Sequence, residues 1–213
     1  MALVICVMGE SGSGKTTSCR NLPPEETYYI DCDGKGLSWK GWRQQYNAEA
    51  KNYKRTDSPT VVKMLLDGIN EKSPHIHYVV VDTINGIMVG DEMRRINDKG
   101  YDKWRDLAAS VFNIINDANG YREDLTVIFL AHSETDRDEN GYNFTRIKTN
   151  GKKLNKIVLE SKLTTVLLAK CVAGQYIFET KSNNSTAKTP LGAFDTDTID
   201  NDIMHVIDAL KEF

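Results

Sequence analysis

The sequence predicts an α/β fold: a doubly wound, mostly parallel sheet that helices cover on both faces, with an antiparallel hairpin at one edge. Two patterns lead to this prediction. Short runs rich in Val, Ile, Leu and Tyr alternate with longer segments of helical periodicity, and the last two runs are separated only by residues 172–174. A length of 213 residues suits one domain, which we expect to span residues 1–213.

The strands and helices are expected to follow one another along most of the chain. The predicted strands are residues 3–8, 28–31, 78–82, 126–131, 164–171 and 175–180. The predicted helices are residues 15–20, 60–71, 85–97, 103–119, 152–161 and 203–213. In a sheet of this kind, ligands bind at the carboxyl ends of the parallel strands.

A complete phosphate-binding loop, Gly-Glu-Ser-Gly-Ser-Gly-Lys-Thr, follows the first predicted strand directly. Its glycines let the backbone turn tightly, so that N–H groups point at the phosphates of a nucleoside triphosphate. Lys15 would reach the β- and γ-phosphates, and the Thr16 hydroxyl would ligate Mg²⁺. The alternative is a glycine-rich turn without a ligand. The expected nucleotide-binding residues are Gly9, Glu10, Ser11, Gly12, Ser13, Gly14, Lys15, Thr16 and Thr17.

A carboxylate that could hold the magnesium shell stands at the end of the predicted strand 78–82. Asp82 ends this apolar run, the form expected of the second NTPase motif, and would act opposite Thr16. The alternative is that Asp82 only caps the next helix. Many hydrolysing P-loop proteins carry a glutamate directly afterwards, but Thr83 stands here. The residue that positions the attacking water must therefore come from elsewhere.

The second predicted strand leads into two carboxylates, Asp31 and Asp33. Alternation along an extended chain would put both on one side, and Asp33 reaches further past the strand end. Asp33 is therefore the candidate general base, unless it only starts the turn 33–36.

Another polar residue follows the apolar run 126–131. His132 would point at the γ-phosphate and sense its presence, although a histidine after a strand can also be an ordinary surface residue. The predicted catalytic set is Lys15, Asp33, Asp82 and His132.

These four elements, in this order, resemble the RecA/Rad51 recombinase core. His132 occupies the place where recombinases have a glutamine that couples ATP to DNA, and Asp33 stands where they normally have a glutamate. The stretch 187–213 looks like the tail of the small phage ATP-binding proteins of the Sak4 type, which also carry a histidine at the sensor place. The chain starts at its first predicted strand, without the amino-terminal segment that larger recombinases use to polymerise.

The resemblance implies a RecA-like P-loop ATPase with ATP and Mg²⁺ as cofactors. Its ATP hydrolysis would be stimulated by DNA and would serve single-strand annealing or strand exchange in phage DNA recombination. The implied partners are single-stranded DNA, further copies of the chain in a ring or filament, and a single-strand-binding protein. In RecA-like oligomers, basic residues near the place that Lys181 and Lys188 occupy in this chain reach the neighbour's γ-phosphate. The resemblance therefore suggests a trans-acting role for these two lysines.

A cationic segment with aromatic neighbours lies where RecA-like proteins have a DNA-binding loop. Residues 146–156 contain basic residues and no acid, so this segment could contact phosphates. Tyr142 and Phe144, just before it, could stack on bases. Residues 97–105 form a second candidate loop. The alternative is a charged run that only solvates the surface. The candidate DNA-binding residues are Tyr142, Phe144, Arg146, Lys148, Lys152, Lys153 and Lys156.

Charge, hydropathy and cysteine spacing bear on the partners and the location of the protein. The net charge is only −3, so nucleic-acid affinity would have to come from a local patch. The amino terminus has no positive region, and its apolar run is too short for a signal peptide or a membrane span. The four cysteines show no paired spacing and resemble reduced thiols. We therefore expect no membrane partner and a cytoplasmic location, in the host if the protein is phage-encoded.

Two other functions remain open from the sequence. A small-molecule P-loop kinase has a similar length, although no arginine-rich lid is evident. A nucleotide-gated replication accessory protein would bind the nucleotide without significant hydrolysis. Trp39 or Trp42 could cover the adenine or belong to the core.

Overall fold

The computed structural model describes residues 1–97, 102–137, 141–149 and 158–213. Within these ranges the strands are β1 Leu3–Gly9, β2 Thr27–Asp31, β3 Tyr53–Arg55, β4 Tyr78–Asp82, β5 Thr126–Arg137, β6 Asn143–Ile147, β7 Thr165–Val172, β8 Gln175–Glu179 and β9 Thr198–Asp200. The α-helices are α1 Lys15–Ser18, α2 Trp42–Gln45, α3 Pro59–Lys72, α4 Ile84–Arg94, α5 Asp102–Ala118 and α6 Ile203–Leu210. None of the described helices is long and apolar enough to cross a bilayer.

The strands form one sheet in the order β3-β2-β4-β5-β1-β7-β8-β9, and β6 pairs with β5 outside this path. The six neighbouring strands β3, β2, β4, β5, β1 and β7 are mutually parallel. The pairs β7–β8, β8–β9 and β5–β6 are antiparallel. The predicted mostly parallel sheet with an antiparallel edge hairpin is therefore confirmed, with the short β9 added outside the hairpin.

Helices cover both faces of the sheet because successive strand residues point to opposite sides. In β1, Val4, Cys6 and Met8 pack on the face that α3, α4 and α5 cover. Ile5 and Val7 pack on the opposite face, together with the apolar side of α6. A strand buried on both faces reads as a continuous apolar run, which is why the bounds of β1, β2, β4 and β7 and the start of β5 agree with the prediction within a residue or two.

Several boundaries differ from the prediction. The α-helix after the phosphate loop ends at Ser18 and continues as a 3₁₀ turn, Cys19–Asn21, because Pro23 and Pro24 follow and cannot extend a helix. β5 runs six residues past the predicted end, where β6 pairs with it. Of the predicted helix 152–161, residues 152–157 lie outside the described part, and Leu159–Lys162 is a 3₁₀ turn.

The parallel register brings the predicted site segments to one edge. Gly9 at the end of β1 is level with His132 in β5, and Asp31 at the end of β2 is level with Asp82 at the end of β4. The phosphate loop, both aspartate segments and the histidine therefore lie along one edge of the parallel part of the sheet, where β1, β2 and β4 end.

Candidate nucleotide-binding site

The phosphate loop has a backbone that only glycine adopts easily. Gly12 and Gly14 have φ angles of +79° and +94°, in the left-handed region, and Gly14 precedes the first residue of α1. A methyl group on Gly9 would lie 2.5 Å from Oγ of Ser13 and 2.7 Å from the carbonyl oxygen of Ala169 in β7. The loop thus turns tightly and packs directly against the neighbouring strand.

Backbone carbonyls of the loop hold the ammonium group of Lys15. Its Nζ donates hydrogen bonds to the carbonyl oxygens of Gly9, at 2.8 Å, and of Glu10, at 2.7 Å. Burial lowers the pKa of Lys15 to about 8, although the nearby charge of Asp82 acts in the opposite direction. An anion in the loop would stabilise the charged form of this lysine.

Asp82 is buried and paired with the loop threonine. Its Oδ2 accepts hydrogen bonds from the Thr16 hydroxyl at 2.7 Å and from the Tyr29 hydroxyl at 2.8 Å. Burial raises the pKa of the Asp82 carboxyl, and Oδ1 is buried without a hydrogen-bond partner. A threonine hydroxyl beside a carboxylate with a spare oxygen is the ligand chemistry that Mg²⁺ prefers, so Thr16 and Asp82 fit this ion.

Asp33 faces the same site from the end of β2. Its Oδ1 accepts a hydrogen bond from the Thr83 hydroxyl at 2.9 Å, and its Oδ2 accepts one from Nζ of Lys35 at 2.7 Å. Burial acts to raise the pKa of the Asp33 carboxyl, but the bonds from Lys35 and Thr83 outweigh burial, and the pKa is lowered. The carboxylate is therefore ionised at neutral pH.

Asp31 has a different environment, which corrects the expectation that it shares a side with Asp33. Its carboxylate accepts hydrogen bonds from the backbone N–H groups of Gly34, at 2.7 Å, and Gly36, at 2.8 Å, and from the Tyr53 hydroxyl, at 2.6 Å. Because β2 ends at Asp31, strand alternation does not continue to Asp33. Asp31 therefore fixes the following turn.

His132 lies between two open cavities. The first, of about 410 Å³, is lined by the loop residues 11–17, Lys35, Ser38, His132 and Tyr176. The second, of about 620 Å³, includes Asp33, Asn85 and His132 in its wall. Burial, followed by the charge of Lys15, lowers the pKa of His132, so its imidazole is neutral at pH 7. A neutral ring there can donate one hydrogen bond and accept another.

Four residues at or near the site escaped the sequence reasoning: Tyr29, Lys35, Asn85 and Tyr176. Lys35 stands between two glycines just after the predicted carboxylates, which was a usable signal. Tyr29 lies inside an apolar strand, where a buried aromatic residue looks like ordinary core. Nothing in the local sequence marks Asn85 or Tyr176, whose contacts are formed across the fold.

An aromatic residue lines the loop cavity, but it is neither of the two predicted tryptophans. Trp39 packs edge-on against Tyr29 and Tyr46 and donates a hydrogen bond to Gln45. Tyr176, half-exposed in β8, lies so close to Gly14 that a methyl group there would be 2.8 Å from its Cδ1.

The predicted DNA-binding residues are only partly described. Tyr142 and Phe144 are exposed, and Phe144 lies in β6. Arg146 pairs across the hairpin with Glu134 at 3.2 Å and with Asp136 at 3.1 Å, so acids from β5 offset its charge. Lys152, Lys153 and Lys156 lie outside the described residues.

The two predicted trans-acting lysines lie away from the loop cavity. Lys181 forms an ion pair with Asp197 at 2.9 Å, and the backbone of Lys188 forms hydrogen bonds with that of Val166 in β7. Neither lysine lines the loop cavity of the same chain.

A glycine-rich loop with a buried lysine, followed by a buried aspartate that binds the loop threonine at the edge of a mostly parallel sheet, defines a P-loop nucleotide-binding protein. The model of the AAA_24 family, an AAA domain, matches residues 1–191, and the chain belongs to this family. The protein is thus a P-loop ATPase domain of the AAA type.

The comparison with solved structures gives a remote neighbour, the P4 protein from bacteriophage phi6 in complex with ADP. The two chains share 14% identity with a TM-score of 0.42, and the match covers 84% of this chain. It covers 55% of the neighbour, so this chain spans about half its length. No curated protein matches the sequence.

Proposed function

We propose that this chain is a Mg²⁺-dependent, RecA-like ATPase of the Sak4 type that binds single-stranded DNA and promotes annealing or strand exchange in phage recombination. The observation that carries the ATPase part is the contact between Thr16 and Asp82 at the phosphate loop, with Asp33 just after β2 and His132 level with the end of β1. A loop that only bound an anion would not need this polar set.

Each residue has a distinct task in the proposed reaction. The loop N–H groups and Lys15 bind the phosphates, and Asp33 orients the attacking water. Thr16 and Asp82 would hold Mg²⁺, which neutralises charge on the β- and γ-phosphates when bound. His132 donates a hydrogen bond to the γ-phosphate. The ring of Tyr176 packs against the nucleobase, because it is the aromatic side chain in the described wall of the loop cavity.

The link to DNA rests on the segment that follows His132. The carbonyl oxygen of His132 accepts a hydrogen bond from the backbone N–H of Lys148, directly after β6. A change at the γ-phosphate can therefore reach the exposed rings of Tyr142 and Phe144 through a short path. Lys148 supplies the positive charge there, since Arg146 is already paired with acids.

The proposed assembly is a homo-oligomer, a ring or filament in which Lys181 or Lys188 reaches the neighbour's nucleotide. Both lysines lie outside the loop cavity of their own chain, as a trans-acting role requires. A single-strand-binding protein is a further partner in this proposal, and the cytoplasm is the expected location.

Release of phosphate from ATP, measured with and without Mg²⁺ and single-stranded DNA, tests the ATPase. Asp33→Asn should lower kcat about a hundredfold or more with little change in nucleotide affinity, because the amide cannot accept a proton. Lys15→Ala should lose nucleotide binding, and the exposed Asp195→Asn should behave as wild type. Undiminished turnover in Asp33→Asn would show that another residue orients the water.

DNA binding needs its own measurement, namely fluorescence anisotropy with single- and double-stranded oligonucleotides at low salt, with and without nucleotide. Absence of binding would contradict the recombination role and leave the ATPase intact. Phosphate transfer to an added nucleoside or sugar would instead indicate a kinase. Nucleotide binding without turnover would indicate a nucleotide-gated accessory protein.

A further inference from the structure

The carboxylates of the site have a cationic side chain of the same chain as a neighbour. Nζ of Lys35 lies 2.7 Å from Oδ2 of Asp33 and 3.9 Å from Oδ1 of Asp82. That Oδ1 atom is buried and accepts no hydrogen bond, so this ammonium group is the nearest positive charge recorded for it. One lysine therefore offsets two negative charges close to the position where Thr16 and Asp82 would hold Mg²⁺.

The turn that carries Lys35 is built to present it there. Asp31 accepts hydrogen bonds from the N–H groups of Gly34 and Gly36, the residues on either side of Lys35. Both glycines have left-handed φ angles, +67° and +80°, so the chain doubles back after β2. A doubled-back chain returns residue 35 to the strand ends, while its side chain stays half-exposed and keeps a flexible stem.

The same side chain also borders the cavity in which the phosphates are expected. Lys35 lines the loop cavity together with Lys15 and His132. An ammonium group at this place can reach either the carboxylates or a bound phosphate chain by rotation about its own side-chain bonds. A divalent cation on Asp82 would repel it from the first position, and the phosphates would attract it to the second.

We propose that Lys35 is a charge placeholder, which neutralises Asp33 and Asp82 until the metal and the triphosphate bind and then moves to the γ-phosphate. The move frees Oδ2 of Asp33 to orient water only when the triphosphate is present. Asp33 is thus masked before the triphosphate binds. This inference rests on the proposed ATPase function, which it deepens.

The first part of the proposal, that Lys35 neutralises the two carboxylates, is tested by the affinity for a metal ion without any nucleotide. Mn²⁺ alone, titrated into the protein and followed by the electron paramagnetic resonance of the free ion, should bind Lys35→Met about tenfold more tightly than wild type, because a competing positive charge is gone. Lys35→Arg keeps the charge and should keep the weak affinity. Lys40→Met removes an exposed lysine five residues further along the chain and should also match wild type. Equal Mn²⁺ affinity in Lys35→Met and Lys40→Met would overturn the placeholder.

The second part of the proposal, that Lys35 moves to the γ-phosphate, is tested by the preference of the protein for a nucleoside triphosphate over a diphosphate. The ratio of the affinities for a slowly hydrolysed Mg²⁺–ATP analogue and for Mg²⁺–ADP should fall about tenfold in Lys35→Met, because only the γ-phosphate receives the ammonium group. An unchanged ratio overturns the transfer. If wild type binds neither nucleotide, the ATPase proposal itself fails. Failure of the transfer alone looks different: wild type binds both nucleotides, and Lys35→Met keeps the wild-type ratio of the two affinities.

Discussion

Two charged residues of the site, Lys15 and Asp82, have hydrogen-bond partners that a bound nucleotide and metal would replace. Lys15 gives its hydrogen bonds to two carbonyl oxygens, and Asp82 receives its own from two hydroxyl groups. Burial outweighs these hydrogen bonds and the nearest opposite charge, which is Asp82 for Lys15 and Lys35 for Asp82, so each pKa is shifted towards the uncharged form. The loop is therefore suited to an anion, and the pair of Thr16 and Asp82 to a cation.

The charge of Lys15 should be measurable at His132. Burial and Lys15 both disfavour the imidazolium, so the pKa of His132 should lie below 6.5. Lys15→Met removes the repulsive charge and should raise this pKa without restoring 6.5, because burial remains. A bound triphosphate should raise it in wild type, since negative charge stabilises the protonated ring. The measurement is a pH titration of the imidazole carbon-bound proton by NMR, with His132→Gln to assign the signal. A lower pKa in Lys15→Met would contradict this electrostatic picture.

At the scale of elements, one side chain joins the site to the segment after β6. The Asn85 amide, in α4, accepts a hydrogen bond from the backbone N–H of His132 at 2.7 Å and donates one to the carbonyl oxygen of Lys148 at 2.8 Å. α4, the outer part of β5 and the end of β6 therefore meet at one buried amide. If the proposed function holds, this contact is the route by which a change at the nucleotide would bias the position of β6.

Substitution of Asn85 should loosen β6 while leaving nucleotide binding intact. Asn85→Ala loses both bonds and should destabilise the protein by about 2 kcal/mol. Asn85→Asp keeps the acceptor for His132 and loses the donor to Lys148. In both variants, hydrogen exchange of residues 143–149 should accelerate while ADP still binds. The exposed Asn113→Ala, in α5, is the matched control. Unchanged exchange in Asn85→Ala would show that β6 is held without this amide.

At the scale of the whole molecule, the sequence predicts the elements that are buried on both sides and misses those that are not. β1, β4 and β5 read as continuous apolar runs because both faces of the sheet are covered. β3, β6 and β9 have three to five residues that are mostly exposed or half-buried, so their pairing comes from neighbouring strands and leaves no apolar run. Tertiary context, which one sequence does not display, determines these short strands.

The candidate site was predictable for a related reason. Parallel strands place their carboxyl ends together, so chain order alone suggested that Asp33, Asp82 and His132 would gather at the phosphate loop. The contact of Lys35 with the carboxylates was not predictable, because it depends on how Asp31 folds the following turn. Residue positions that follow from topology can be predicted from a sequence, whereas those that depend on the path of one turn need coordinates.

The loop also joins parts of the chain that are distant in sequence, so a bound nucleotide should stabilise the whole molecule. Gly9 packs against Ala169, and Gly14 against Tyr176 and Asn201. At a concentration of Mg²⁺–ADP about 100 times its Kd, the gain is about 2.7 kcal/mol. For a chain of this size the midpoint of thermal unfolding should rise by about 5–10 °C. Lys15→Ala should abolish the rise, and Lys40→Ala should keep it. A rise that survives in Lys15→Ala would contradict the proposed role of the Lys15 ammonium as the phosphate-binding charge of this loop.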